Sequence, residues 1–407
     1  MSSTLERDPR VILEQRGFKG LLADYGRRLR EGDIGQLPVI VGLVVIWGVF
    51  YKATGGTFWT SFNLVNLTIQ MAAVGTISVG VVLVLLLGEI DLSVGIVSGL
   101  CASVMAVLTV QKGWSAESAV VAGILAGTAV GLLQGVWITR FGIPSFVVTL
   151  AGLIGWQGAL LYVLGRTGTI NLNDRFIVGL AGTYIKGPKA YVVALLFLAY
   201  VAGGPLVTQL RRRAAGLAVQ PLLFVVVRAA ILSVVVGAAV AKLNADRGIG
   251  LGLIFLVGLV VVMDYVLRRT RFGRMIFAIG GNAEAARRAG IPVQRVRVMV
   301  FVIASTLAAW GGILGASRLR AVNQSAGQGD VLLNAIAAAV IGGTSLFGGR
   351  GSVWAALLGI IVIQSISNGM DLLSLQSSIK FMITGAVLLT AVTIDAVIRR
   401  GRQASGR

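Results

Sequence analysis

Long apolar stretches without charged residues alternate along this chain with short polar segments. A helix needs about 20 mostly apolar residues to cross the hydrocarbon core of a bilayer. The pattern therefore predicts an all-α protein, a polytopic transmembrane helix bundle of about 10–12 spans. The first, eighth and tenth apolar stretches are short for a crossing helix. The predicted spans lie near residues 36–51, 64–87, 92–111, 118–139, 143–164, 190–210, 217–241, 249–267, 298–317, 332–347, 352–370 and 377–397.

Composition supports a membrane protein. The 407 residues are 56% hydrophobic and 13% charged, with a mean hydropathy of +0.88, whereas soluble domains carry roughly 25% charged residues. The net charge of +20 comes from arginines in the segments between apolar runs rather than from one soluble face. Such a distribution indicates the excess of Lys and Arg that membrane proteins carry in their cytoplasmic loops, and contact with anionic membrane lipid. We expect no nucleic acid as a partner.

The residue types exclude most catalytic chemistry. The chain has no His, and its one cysteine, Cys101, lies in an apolar run. A Ser/His/Asp triad, a Cys/His pair and a His- or Cys-based metal site are therefore impossible. No Gly-Lys dipeptide occurs, so the chain has no P-loop for ATP. The sequence predicts no enzyme, no catalytic residue, no metal and no cofactor on this chain.

The distribution of Lys and Arg predicts the orientation. With the N-terminus in the cytoplasm and spans that alternate, the cytoplasmic segments hold 24 of these residues and the opposite side holds 10, as the positive-inside rule requires. Both termini are then cytoplasmic. The polar start of the chain is unlike a cleaved signal peptide, so the first span is expected to be retained. The expected divisions are a cytoplasmic segment 1–35, a membrane domain 36–397 with a cytoplasmic loop 268–297, and a cytoplasmic tail 398–407.

The loop 268–297 holds eight arginines and predicts a short helix. Asn282 is a suitable N-cap, and Glu284 lies in the first turn, where the helix dipole favours a carboxylate. Arg287 and Arg288 occupy the last turn, and Gly290 provides a left-handed stop. A helix of about two turns is unstable alone in water. It needs a surface on which to dock.

The segment GEIDLSVG, residues 88–95, interrupts a long charge-free run. Charged side chains inside a bilayer are costly and usually face protein or a water-filled cavity. One interpretation is a turn at the membrane boundary, with Asp91 or Ser93 capping the next helix. The other is a broken helix in which Glu89, Asp91 and Ser93 lie along a translocation path. Both interpretations stay open.

The late spans carry polar residues at helical spacing. Gln364, Ser367 and Asp371 would share one helix face, and Asn368 lies beside them. Such a stripe either lines the path or bonds between helices. Asp264, close to the arginine-rich loop, is expected to form a local ion pair.

The chain contains GEIDLSVG at 88–95, RFGRMIFAIGGNAEAARRAGI at 271–291, AIAAAVIGGTSLFGGRGSVWAALLG at 335–359 and SNGMDLL at 367–373. Together these four stretches resemble the ribose/xylose-type permeases of bacterial ABC sugar importers. The chain is longer than the ribose-type members, with additional material around 175–245, and this length resembles the D-xylose branch. The resemblance therefore implies a permease for a monosaccharide, with D-xylose as the first choice and ribose, galactose or another small solute as the alternative.

The same resemblance implies the partners. Such permeases form a homodimer in the bacterial inner membrane, bind a cytoplasmic P-loop ATPase that holds the ATP, and receive sugar from an extracytoplasmic sugar-binding protein. The helix from Asn282 to Gly290 would couple to the ATPase through Asn282, Glu284, Arg287, Arg288 and Gly290. The predicted translocation path contains Glu89, Asp91, Ser93, Gln364 and Asn368.

Two other functions compete. One is a secondary transporter driven by an ion gradient, with Glu89 and Asp91 as the ion-linked carboxylates. It gives the arginine-rich loop no role. The other is a permease of the same architecture for another solute, such as branched-chain amino acids.

Overall fold

The computed structural model describes residues 36–215 and 222–404. The predicted N-terminal segment 1–35 lies outside the described residues. The described part contains fifteen α-helices and four very short strands. The helices are α1 Leu37–Ala53, α2 Ser61–Leu86, α3 Val94–Ala106, α4 Ala116–Phe141, α5 Ser145–Leu164, α6 Arg175–Gly182, α7 Pro188–Ala214, α8 Leu222–Asn244, α9 Leu251–Arg269, α10 Arg271–Gly281, α11 Ala283–Arg288, α12 Val293–Leu319, α13 Asp330–Ile341, α14 Val353–Leu372 and α15 Ser377–Ala404. The strands are β1 Thr169–Asn171, β2 Tyr184–Ile185, β3 Ile249–Gly250 and β4 Ala321–Asn323.

The prediction of an all-α polytopic bundle is confirmed. In the described ranges, nine helices are long and apolar enough to cross a membrane, with α3 extended to Gln111 by a π-helical turn. Two further apolar helices are shorter, α1 with 17 residues and α13 with 12. The last helix continues to Ala404, so the predicted boundary between membrane domain and tail at residue 397 falls inside a helix.

The predicted span 332–347 needs correction. Helix α13 ends at Ile341, and its 12 residues extend only about 18 Å at 1.5 Å per residue. The following segment turns at Gly343, Gly348 and Gly349, all with positive φ, a backbone conformation that glycine adopts without steric cost. A hydropathy average counts these glycines as part of an apolar span, but their backbone conformation ends the helix before it is long enough to cross the membrane.

The described residues form two compact units. In the unit that holds residues 185–249, the described helices α7 and α8 contact one another, and both are long enough to span a membrane. Asn244 accepts from the Gly187 N–H at 3.2 Å. These two helices account for the two spans expected in the additional material around 175–245.

The larger unit, 36–184 with 250–400, is built around α12, which contacts α2, α3 and α4. Glycines permit this close approach. A Cβ placed on Gly131 of α4 would lie 2.5 Å from the Phe301 carbonyl oxygen and 2.8 Å from the Val302 Cα. Without a strong hydrophobic drive between helices in lipid, such small-residue contacts are what hold the bundle together.

Strands β1 and β4 connect the chain after α5 to the chain after α12. They pair antiparallel, with Ile170 opposite Val322, and both of these side chains are buried. The Leu172 N–H extends the ladder by donating to the Arg320 carbonyl at 2.8 Å. The pairing fixes one end of α12 to the end of α5.

Candidate coupling helix and translocation site

Helix α11 has the ends that the sequence predicted. Asn282 has an extended backbone (φ −161°), and its side chain accepts from the Ala285 N–H at 2.9 Å. At the other end Gly290 has φ +80°, and the Ile291 N–H donates to the Ala286 carbonyl at 3.1 Å. Both ends are therefore closed by short-range bonds.

The charged side chains of α11 pair with one another. Glu284 lies 3.1 Å from Arg287 and 3.3 Å from Arg288, and the three side chains are more than half exposed. Such surface pairs contribute little to stability, roughly 0.2–1 kcal/mol. The two guanidinium groups thus remain accessible to a stronger acceptor on another molecule.

The segment 268–297 between the two long helices contains more helix than the short one predicted from the sequence. Helix α10 begins after Thr270, whose hydroxyl accepts from the Gly273 N–H, and it buries Ile276 and Ile279 while Arg274 stays exposed. This amphipathic pattern lets a charged segment lie on the bundle. The ion pair expected for Asp264 is present, with Arg268 at 2.7 Å.

Residues 87–93 form a non-helical link between α2 and α3. Asp91 Oδ1 accepts from the Ser93 N–H at 2.8 Å and from the Ser93 hydroxyl at 2.7 Å. Ser93 stands at the N-cap of α3 but makes no side-chain cap bond. Instead, Gln134 of α4 donates to its hydroxyl at 2.9 Å. Burial raises the pKa of the Asp91 carboxyl, and the bonds from Ser93 act in the opposite direction.

Helix α5 satisfies the backbone of the same link. The Ser145 hydroxyl accepts from the Ile90 N–H at 3.2 Å, and the Thr149 hydroxyl accepts from the Leu92 N–H at 3.1 Å. Non-helical backbone inside a membrane protein needs such internal partners. Two serine/threonine side chains one helical turn apart on α5 provide them.

Glu89 does not bond within the link but reaches α12. Its Oε1 lies 2.9 Å from a terminal guanidinium nitrogen of Arg297, and the side chains are 12% and 28% exposed. The link is thus attached to the same helix that follows α11.

The polar residues of α14 bond between helices. Asn63 of α2 donates to Asn368 at 2.8 Å and to the Phe58 carbonyl at 2.9 Å. Asp371 pairs with Lys380 of α15, and Gln364 is 7% exposed. Of the two open interpretations, the bonds of Asn368 and Asp371 favour contact between helices at these two positions.

An open cavity of about 420 Å³ lies beside α6 and the end of α12. Asp174 caps α6 by accepting from the Phe176 N–H at 2.8 Å, and Ser317 accepts from the Ala181 N–H at 2.9 Å, so both walls are fixed. The cavity is lined by Leu172, Asn173, Arg175, Val178, Gly179, Gly182, Thr183 and Arg320.

None of the five predicted path residues lines this cavity, and sequence reasoning missed Arg175 and Arg320. Within the described ranges neither guanidinium forms an ion pair. A local sequence signal exists for Arg320, since it directly follows the apolar span that ends at Leu319. In the structure its φ is +53°. The described residues contain no group of three or more His, Cys, Asp or Glu that could hold a metal ion.

Comparison with known proteins gives a family match over most of the chain. Residues 63–392 match the model described as branched-chain amino acid transport system / permease component. A xylose transport system permease protein of Escherichia coli (strain K12) is 35% identical over 94% of this chain and 95% of its own length. The corresponding xylose permease of Haemophilus influenzae is 33% identical over 90% of this chain and 98% of its own length. A ribose import permease of Bacillus subtilis (strain 168) is 30% identical over 90% of this chain and 94% of its own length. No solved structure matches significantly.

Proposed function

This chain belongs to the permease-component family whose model matches it, as a ribose/xylose-type ABC permease, and on that premise we propose that it carries D-xylose across the bacterial inner membrane. As a permease it is a non-catalytic membrane subunit of an ABC sugar importer, and ATP hydrolysis belongs to a separate subunit. The ion-coupled secondary transporter therefore loses its basis. The observation that carries the choice of xylose is the likeness to xylose permeases over nine-tenths of the chain.

The higher identity to the xylose permeases, 35% and 33% against 30% for the ribose permease, supports the same sugar. The identity to the xylose permeases extends over both chains nearly end to end, so it includes the region of α7 and α8. Ribose is the second candidate because the ribose permease of Bacillus subtilis is 30% identical over a similar share.

The test is uptake by the assembled importer in proteoliposomes. The permease, its ATPase and its sugar-binding protein are reconstituted together, and ATP-dependent uptake of labelled D-xylose is measured against labelled D-ribose and L-arabinose. We expect D-xylose to be taken up at least tenfold faster at equal concentration. Faster uptake of D-ribose would assign the importer to ribose, and uptake without the ATPase would contradict the whole proposal.

Helix α11 is the proposed contact with the ATPase. It is short and capped at Asn282, stops at Gly290, and exposes Arg287 and Arg288 beside a single carboxylate, Glu284. An acidic groove on the ATPase would compete for those guanidinium groups. ATP-driven closure of the ATPase pair would then move α11, and with it the adjoining helices, between inward-open and outward-open states.

The orientation of the permease follows from this contact. The end that carries α11 and the ends of the chain are cytoplasmic in our proposal, which the charge bias of 24 against 10 supports. Anionic lipid at that surface would attract the remaining arginines. The permease acts as a homodimer in this proposal, a property that the family resemblance implies.

The opposite end is the proposed docking site of the sugar-binding protein. There the cavity beside α6 presents Arg175 and Arg320, while the nearby carboxylate Asp174 is already engaged as a helix cap. A carboxylate on the binding protein would complement this site.

We propose that the translocation path contains Glu89, Asp91, Ser93, Gln364 and Asn368. In the structure described above, Glu89, Asp91, Ser93 and Asn368 bond to other groups of the chain. We propose that sugar passage requires some of these bonds to exchange for sugar hydroxyls. Weak, exchangeable polar contacts suit a path that must release its cargo, with the affinity for sugar held by the binding protein.

A further inference from the structure

Three glycine-bearing segments meet where α10 ends. The first is the last turn of α10 itself, the second is the turn after α2, and the third is the turn before α14. A backbone bond joins two of them, from the Gly349 N–H to the Leu86 carbonyl at 2.9 Å. Gly280 of α10 and Gly88 after α2 lie against the same point.

The contacts at Gly280 are backbone on backbone. A Cβ on this residue would lie 1.8 Å from the Leu86 carbonyl oxygen and 2.5 Å from the Gly349 nitrogen. Gly348 is equally confined, because its Cβ would lie 2.7 Å from the Gly88 nitrogen and 2.8 Å from the Gly280 carbonyl oxygen. No side chain stands between the three segments, so they touch through their least deformable atoms.

This contact lies next to α11 in the chain. Only Gly281 and Asn282 separate Gly280 from Ala283, where α11 begins. On the other side of α11, Arg297 holds Glu89 at 2.9 Å. The segment 86–93 is therefore attached to the chain both before and after α11.

We infer that Gly280 is a positioning residue for coupling: it holds the end of α10 directly against the end of α2 and the turn before α14, so that displacement of α11 reaches the bundle through rigid backbone contact. This inference rests on the proposed role of α11 and deepens it. A methyl group at position 280 would separate the three segments. Movement of α11 would then no longer be passed fully to α2 and α14.

The chain offers a matched control one residue away. Gly281 lies in the same helical turn, yet a Cβ there would meet nothing within 4 Å, and its φ is not positive. Gly280→Ala and Gly281→Ala therefore make the same chemical change in the same helix. They differ in whether the three segments are forced apart.

The experiment uses the full importer in proteoliposomes, with ATP hydrolysis and D-xylose uptake measured on the same preparation. For Gly280→Ala we expect the ATPase to remain bound and to hydrolyse ATP, while the sugar transported per ATP falls at least tenfold. Gly281→Ala should stay within twofold of the wild type. An unchanged transport-to-hydrolysis ratio in Gly280→Ala, or an equal loss in both variants, would overturn the inference.

A second measurement on the wild type covers the case in which Gly280→Ala does not fold. Amide hydrogen exchange is compared between the nucleotide-free importer and the importer trapped with ATP and vanadate. We expect segments 86–93 and 342–352 to change together with 280–290. A change confined to 280–290 would refute transmission through Gly280. Failure of the wild-type permease to bind the ATPase would instead refute the proposed function, so the two failures are distinguishable.

Discussion

Glu89 and Arg297 form an ion pair at 2.9 Å that joins the link after α2 to the second turn of α12. The two residues are far apart in the chain, and both side chains are mostly buried. The pair ties the link 87–93 to the segment after α11. It also occupies Glu89, one of the two carboxylates that an ion-coupled transporter would use with Asp91.

Breaking this pair should destabilise the permease. Glu89→Gln or Arg297→Gln leaves a charged partner partly buried, at a cost of about 1–3 kcal/mol. The measurement is thermal unfolding in detergent, with the double variant completing a thermodynamic cycle. We expect the double variant to cost less than the sum of the single variants. Strict additivity would mean that the two side chains do not interact.

Asn282 should matter through its cap. Asn282→Ala removes the acceptor for the Ala285 N–H and should weaken the short helix by about 1 kcal/mol. Asn282→Ser keeps an acceptor and serves as the control. Hydrogen exchange over 283–288 should accelerate in the alanine variant and stay near wild type in the serine variant. Equal exchange in both would show that the cap bond does not hold α11.

Arg287 and Arg288 should be needed for coupling but not for folding. Their pairs with Glu284 are exposed, so Arg287→Glu with Arg288→Glu should change stability little. We expect the double variant to reach the membrane normally, to lose co-purification with the ATPase, and to lose uptake. Arg140→Glu, at an exposed position near the end of α4, is the control. Normal uptake in the double variant would remove α11 from the ATPase contact.

Arg175 and Arg320 should assist docking of the sugar-binding protein. Arg175→Glu combined with Arg320→Gln reverses and removes charge at the cavity, so the affinity of the binding protein should fall about tenfold, mostly through slower association. Surface plasmon resonance at increasing salt concentration measures the affinity and the association rate of the binding protein. The salt dependence should weaken in the variant because fewer charges attract the partner. Identical salt profiles would place docking elsewhere.

Close packing of α4 on α12 gives a prediction about stability. Gly131→Ala forces a methyl group against the Phe301 carbonyl and should cost about 1–3 kcal/mol. Gly155→Ala in α5 meets nothing within 4 Å and should be neutral. Thermal unfolding in detergent compares them. Equal melting temperatures would mean that the interface relaxes without strain.

Local features of the fold were readable from the sequence, and distant ones were not. The ends of α11 were predicted residue by residue, because the bonds of Asn282 and Gly290 reach only a few residues along the chain. The extra spans α7 and α8 were predicted from hydropathy. The false span at 332–347 arose because hydropathy averages ignore what Gly343, Gly348 and Gly349 do to the backbone.

The contacts that assemble the site depend on tertiary structure. Asn63 and Asn368 bond across 305 positions, and no periodicity in either helix identifies the partner. The cavity joins Arg175 on α6 to Arg320 after α12, which no local motif connects. The polar residues 364–371 could be placed on a membrane helix from sequence, but their bonds required the fold.

The pairing of β1 with β4 has a mechanical consequence. It attaches the C-terminal end of α12 to the chain after α5, while α11 adjoins the N-terminal end of α12. Because α12 has 27 residues, its two ends are roughly 40 Å apart. A displacement at Val293 therefore acts on a helix whose other end, at Arg320, is held by the strand pair. In the proposed coupling, displacement of α11 would therefore move α12 most near Val293 and least near Arg320, where the strand pair holds the end of the helix.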